Sequence, residues 1–352
     1  MSRPVPLFAR VATVVRNGLP ESWHCGAAAV VTPEGRAVAR LGDPSLATYV
    51  RSAAKPFQAL PLVLAGGAER FALASADLAL ICASHGGTPE HTARVAALLA
   101  RGGFTPADLL CGAHPPMDRE SAVRLAAAGA PPTALHNNCS GKHAGMLLAC
   151  RLLDLAPADY IAPSHPLQQS ILGHVARLAG LRAEEIGVGM DGCSAPTFHL
   201  PLAAVARSYA ALAHAHATGL DGATQAALER IVHAMGEAPE MVAGPGRFTT
   251  RLIAATGGRV VGKEGAEGFY GVAVRGPVAL GVALKIADGG ERCRDGVVLA
   301  ILRQLGALSG AELADLAEHA EPRLFNHRGM RTGEIVTDVQ LEEMDLMAGE
   351  EV

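Results

Sequence analysis

Aromatic side chains are scarce, at 4% of 352 residues, and Trp23 is the only tryptophan. Little surface is left for base stacking, and a net charge of −4 without a basic run gives no counterion-release drive toward nucleic acid. The same acidic balance argues against an anionic membrane surface. No stretch reaches the roughly 20 apolar residues of a membrane-spanning helix. Arg3, Arg10 and Arg16 break up Met1–Gly18, so no secretion-signal core is expected there. The seven cysteines are odd in number, widely spaced and without a CxxC, which does not suit a disulfide framework. They predict a reducing, cytoplasmic setting with free thiols or metal ligands. Lysine is the rarest charged residue: only Lys55, Lys142, Lys263 and Lys285 occur among 30 basic positions. Where arginine serves for solvation, a retained lysine points to a need for an amine that can be neutralised, because arginine stays charged.

What is present is a globular chain, 49% hydrophobic and 18% charged. Strands are predicted at Arg10–Arg16, Gly26–Val31 and Arg36–Leu41, the last two joined by the Thr32–Gly35 turn. From Ser52 to about Met235 the pattern is mostly helical, as in His91–Arg101, Arg119–Ala128, His165–Leu178 and Leu202–Ala215. Strands resume at Leu252–Ala255, Arg259–Val261, Gly271–Val274 and Val278–Ile286, before a helix over Asp295–Leu308. The two strand-rich ends most simply join in one sheet. That gives a sheet lobe of about 1–55 plus 245–352, a helical lobe of about 56–244, and a single domain. The acidic tail Asp338–Val352 reads as loosely ordered.

Ser52-Ala53-Ala54-Lys55 is an S-x-x-K box, and Pro56 marks it as a helix start. Residues three apart share a helix face, so Ser52 Oγ and Lys55 Nζ can meet, and a neutral lysine could serve as the serine's base. The plain alternative is an exposed helix start with a capping serine. Ser84-His85-Gly86 follows an apolar run, and Lys263-Glu264-Gly265 follows a predicted strand. This order is that of the S-x-x-K, second-serine and K-T-G motifs of serine β-lactamases, although His, Gly and Glu stand where Asp, Asn and Thr would be expected. Gly257 to Lys263 mimics a phosphate loop but has Glu264 at the magnesium-ligand position and runs into a strand. Thr256-Gly257-Gly258 lies too late in the chain for a nucleophilic threonine turn.

A polar run, His136-Asn137-Asn138-Cys139-Ser140-Gly141-Lys142-His143, sits between Ala-rich helices. A second, Asp191-Gly192-Cys193-Ser194, lies downstream. On spacing alone, Cys139 and Cys193 are either free buried thiols or zinc ligands.

Arg51-Ser52-x-x-Lys55-Pro56, Ser84-His85, Asn138 through His143, Asp191-Gly192-Cys193 and Gly262 through Gly265, in this order, resemble the asparaginase II family. These are the class 3, rhizobial-type L-asparaginases, distinct from the threonine-dependent enzymes of the same name. The resemblance spans about Val11 to Glu334. It implies an α/β fold like the serine β-lactamases and glutaminases: a central, mostly antiparallel sheet with flanking helices and a helical lobe. By position it implies Ser52 as nucleophile, Lys55 as its base, and Ser84 with Lys263 as a second serine–lysine pair. It implies zinc on Cys139, Lys142 and Cys193, with Arg51, His143 and Asp191 ordering substrate. It also implies hydrolysis of L-asparagine and a homodimer. A neutral amine base predicts activity rising from neutral toward alkaline pH. Three other readings stay open: an amidohydrolase acting on glutamine, a zinc hydrolase using metal-bound water, and an idle amino-acid-binding protein.

Overall fold

The computed structural model describes residues 6–344. The two strand-rich ends meet in one antiparallel sheet. The N-terminal end supplies β1 (Ala9–Arg16), β2 (Leu19–Val31) and β3 (Ala37–Leu41), followed by β4 (Ala47–Tyr49). Further along come β5 (Gly187–Met190), β6 (Pro196–Pro201), β7 (Val260–Gly265), β8 (Phe269–Val274) and β9 (Leu280–Ile286). The last are β10 (Arg323–Phe325), β11 (Arg331–Thr337) and β12 (Glu342–Glu343). The main sheet runs β10-β11-β1-β2-β9-β8-β7, and β3 joins both β2 and β12. A smaller sheet has the order β4-β6-β5.

Successive side chains of a strand face opposite sides, and β2 divides accordingly. Ala27, Ala29 and Val31 join the core that includes Ala206 and Tyr209 of the helix Leu202–Ala213. Ala28 and Val30 join a second core with Val297 and Ile301 of the helix Arg294–Gln304. The sheet therefore lies between two helical layers, an α/β arrangement with most of the helices on the first side. Small residues let the helix Leu202–Ala213 press close. A Cβ on Gly281 would stand 1.9 Å from the Ala206 carbonyl oxygen and 2.2 Å from the Ala210 nitrogen. Both obstacles are backbone, so Gly281→Ala must push the helix outward. The expected loss is about 2–3 kcal/mol in chemical denaturation, with an unchanged midpoint as the contrary result.

Several predicted elements change. Leu252–Ala255 is not a strand; it ends the helix Phe248–Ala255. Phe248, Leu252 and Ile253 recur at helical spacing and are buried, which outweighs the strand preference of Thr249 and Thr250. β2 begins seven residues before the predicted Gly26 and exposes Leu19 and Trp23. The small β4-β6-β5 sheet escaped prediction because β4 has only three residues, β5 alternates with glycine and β6 is bounded by prolines. The tail is tied down at Asp338, whose N–H donates to the Val11 carbonyl, and again by β12 on β3. Residues 345–352 of the predicted loose tail lie outside the described residues.

Candidate active site

The site forms where β7, the edge strand of the main sheet, meets a 3-10 turn at Arg51–Ala54. That turn leads directly into the helix Lys55–Gln58. Pro56 lies in the first turn of this helix, and the missing N–H of Pro61 coincides with a break after Gln58. In a 3-10 turn, residues i and i+3 eclipse, which puts Ser52 and Lys55 on one side. The turn is fixed by the Tyr209 hydroxyl, which donates to the Ala53 carbonyl at 2.6 Å. Arg51 holds a left-handed φ of 51°, a conformation costly for a non-glycine residue. Its guanidinium bonds Asp191 at 2.8 Å, an ion pair that ties the strained residue to the second polar loop.

Lys55 is fully buried, whereas Ser52 is partly exposed. Lys55 Nζ donates to the Ala83 carbonyl at 2.5 Å, Ser84 Oγ at 3.0 Å and the Asn138 carbonyl at 3.4 Å. No hydrogen bond joins it to Ser52 Oγ. Lys263, on β7 and also fully buried, donates to the same Ser84 Oγ at 2.8 Å. Ser84 Oγ thus sits between two amines, its main chain anchored by an N–H to the Val242 carbonyl. Burial, with smaller contributions from Lys55 and Arg247, pushes the Lys263 amine down to about 7, against the raising effect of Glu264. A lysine at that value is neutral in an appreciable fraction of molecules at physiological pH and can pass protons.

The polar run opens the helix Ser140–Leu152. A Cβ on Gly141 would stand 2.2 Å from the Leu80 carbonyl, so its absence lets this helix lie against Ser75–Ile81 and places Asn138 beside Ser84. His85 N–H donates to the Asn138 carbonyl, the same oxygen that receives Lys55. His143 Nδ1 lies 2.6 Å from the Tyr160 hydroxyl while its Nε2 has no partner among the described residues, and burial holds its imidazole well below the usual value.

Cys139, Lys142 and Cys193 also converge. All three are buried, and Lys142 Nζ lies 3.0 Å from Cys193 Sγ. A hydrogen bond from Cys193 drives Cys139 well below the usual thiol range, and this interaction pushes Cys193 up. Burial opposes the charge on Lys142, but Cys193 and Cys139 raise its pKa. Burial likewise opposes the charge on Asp191, yet Lys142 and Arg51 hold its carboxyl below the usual range. Among the described residues no group of three or more His, Cys, Asp or Glu could hold a metal ion. The donor set here depends on Lys142. Two sulfurs and an amine nitrogen in mutual reach, once deprotonated, suit zinc chemically, so the residues fit that ion.

The structure therefore gathers Lys55, Ser84 and Lys263 in one cluster, Cys139, Lys142 and Cys193 in another, and pairs Arg51 with Asp191. Sequence reading missed Arg247, Thr249 and Tyr270, which surround Glu264. Thr249 Oγ1 donates to Glu264 and lies 2.8 Å from the Tyr270 hydroxyl, while Arg247 lies 3.3 Å from Glu264 Oε1. The available signal was Glu264 itself, an acid in a strand buried along its whole length.

A sheet between helical layers with a serine–lysine cluster at its edge is an enzyme-like arrangement, and the family comparison supplies its class. The chain matches the L-asparaginase II family over residues 12–337 and belongs to that family. It is accordingly an amidohydrolase of the asparaginase/glutaminase type. No curated protein matches it. Similar solved structures include Mglu in its native form, at 15% identity over 82% of this chain and 67% of that chain, TM-score 0.45. Another is a Bacillus glutaminase in the presence of 4.3 M NaCl, at 12% identity over 81% of this chain and 92% of that chain, TM-score 0.37. Among the described residues no helix is long and apolar enough to cross a membrane.

Proposed function

We propose that the protein is an L-asparaginase that hydrolyses the side-chain amide of L-asparagine to L-aspartate and ammonia through an acyl-enzyme on Ser52. The observation that carries this reading is Ser84 Oγ held between Lys263 and Lys55, the latter three residues after the partly exposed Ser52, in a chain of the L-asparaginase II family. Ser52 is the nucleophile because it is partly exposed, whereas Ser84 is buried.

Ser52 Oγ attacks the amide carbon and Lys55 takes its proton. Lys55 must be neutral for this, and Ser84 connects it to Lys263, so charge can be passed between the two amines. The C–N bond then breaks and ammonia leaves with a proton returned through the same groups. Water cleaves the Ser52 ester, releasing L-aspartate and restoring the hydroxyl. Arg51, held by Asp191, and His143 with its free Nε2 offer charge and hydrogen bonds for the α-amino and α-carboxylate groups of the substrate. Release of ammonia from L-asparagine well above that from L-glutamine tests the specificity; the reverse preference would make the enzyme a glutaminase.

Cys139, Lys142 and Cys193 would hold the zinc ion. When bound, zinc supplies a fixed positive charge beside the substrate site. Cys193→Ala is expected to lower zinc content from about one per chain to about zero, and to raise KM more than it lowers kcat. Metal analysis checks this, and full zinc in the variant would refute the ligand set. Binding also requires loss of the Lys142 and thiol protons, so zinc affinity should fall as pH falls. The reading extends to one asparaginase II domain acting as a cytoplasmic homodimer. Seven free cysteines support the reducing compartment. The family resemblance supports the dimer.

A further inference from the structure

Lys263 and Glu264 are neighbours on β7, so their side chains leave opposite faces of the strand. Lys263 projects with Val261 into the layer that holds Ser84. Glu264 lies with Tyr270, its direct cross-strand partner on β8, toward the layer of the helix Arg294–Gln304. A carboxylate buried there needs compensation, and it has it. Thr249 Oγ1 donates to Oε2, and Arg247 approaches Oε1. Burial opposes the charge, yet Lys263, Arg247, Thr249 and Arg294 hold the carboxyl down at about 2.

These contacts close a ring. Lys263 Nζ bonds Ser84 Oγ at 2.8 Å and the Glu264 carbonyl at 2.9 Å, with Glu264 Oε1 at 3.4 Å. Arg247 reaches from Glu264 back to Ser84, donating to its carbonyl at 3.1 Å. Both the backbone and the hydroxyl of Ser84 are therefore tied to one carboxylate, through Arg247 and Lys263. The titratable and charged groups facing this ring from the packed elements are Lys55, Arg247 and Arg294, with Asp295 behind Arg294. Cys82, Tyr209 and Tyr270 border it as neutral groups, their values pushed up by burial.

We propose that Glu264 is the positioning residue of the Ser84–Lys263 pair, fixing the Lys263 amine on Ser84 from the opposite face of the edge strand while Arg247 and Thr249 hold it in place. This rests on the reading of Lys263 as a proton carrier, so the test separates the two. The chain contains only four lysines, and carbon-13 labelling of their side chains gives four titration curves by NMR. The curve lost in Lys263→Met belongs to Lys263. In Glu264→Gln the stabilising anion is gone while burial and the Arg247 guanidinium remain, so the Lys263 midpoint should fall from about 7 by at least about one pH unit. The acid limb of ammonia release should move down with it. If the glutamine variant fails to fold, Glu264→Asp withdraws the charge by one methylene and should shift the midpoint the same way by less. An unchanged or raised midpoint in a folded variant overturns the proposal. A lowered midpoint with an unmoved activity limb upholds the role of Glu264 and overturns that of Lys263 in catalysis.

Discussion

Replacing Ser52 with alanine is expected to lower ammonia release from L-asparagine by at least about 10³-fold, with folding and zinc content unchanged. The change removes one oxygen from a partly exposed side chain that has no hydrogen bond to Lys55, so the turn has little to lose by it. Tyr209 still anchors Ala53, and the two lysines still hold Ser84. KM should change little, since a nucleophile contributes to the transition state more than to binding. A variant that keeps a tenth of its activity would remove Ser52 as the attacking group. Circular dichroism on the same sample excludes loss of fold as the cause.

How far the sequence carried the site depends on the kind of contact. The S-x-x-K box was legible because a local helical spacing brings Ser52 and Lys55 to one side. Lysine scarcity singled out Lys55, Lys142 and Lys263, and the structure buries all three. It also singled out Lys285, which is only half-buried and bonds the Glu267 carbonyl instead. What a linear reading could not supply was the partner of Lys55. The i, i+3 rule pointed to Ser52, whereas its hydrogen bonds go to Ala83, Ser84 and Asn138, all remote in sequence. The ring around Glu264 was hidden for the same reason, since Arg247, Thr249 and Tyr270 belong to no motif and meet only through strand pairing and the close approach of a helix. The last turn of that helix, Leu252–Ala255, was itself misread as a strand. The sheet formed from the two ends was legible through β-rich runs bounded by glycine, and the β4-β6-β5 sheet was not, because β4 and β5 are only three and four residues long and β6 is an apolar run bounded by prolines without polar alternation.

Lys263→Met is expected to lower kcat/KM by at least about 100-fold and to abolish the acid limb of the parent's pH profile. Methionine matches much of the lysine stem but carries no proton and leaves Ser84 with one amine. The sign follows from the direction of the shift. Lys263 is pushed down to about 7, so it is charged below that pH and neutral above it. If the neutral form is needed, kcat/KM of the parent rises through about pH 7 and levels off above it. In Lys263→Met that rise is absent, and any residual activity follows the groups that remain. A parent profile falling through neutral pH, or a variant keeping the same limb at full rate, would remove Lys263 from the proton path.

The central claim is a covalent intermediate on Ser52, and rapid-quench mass spectrometry of the intact protein with saturating L-asparagine tests it most directly. The account predicts a transient mass increase equal to asparagine less ammonia, located by digestion on the peptide containing Ser52 and missing from Ser52→Ala. Steady turnover with no adduct, or an adduct on any other residue, would contradict it.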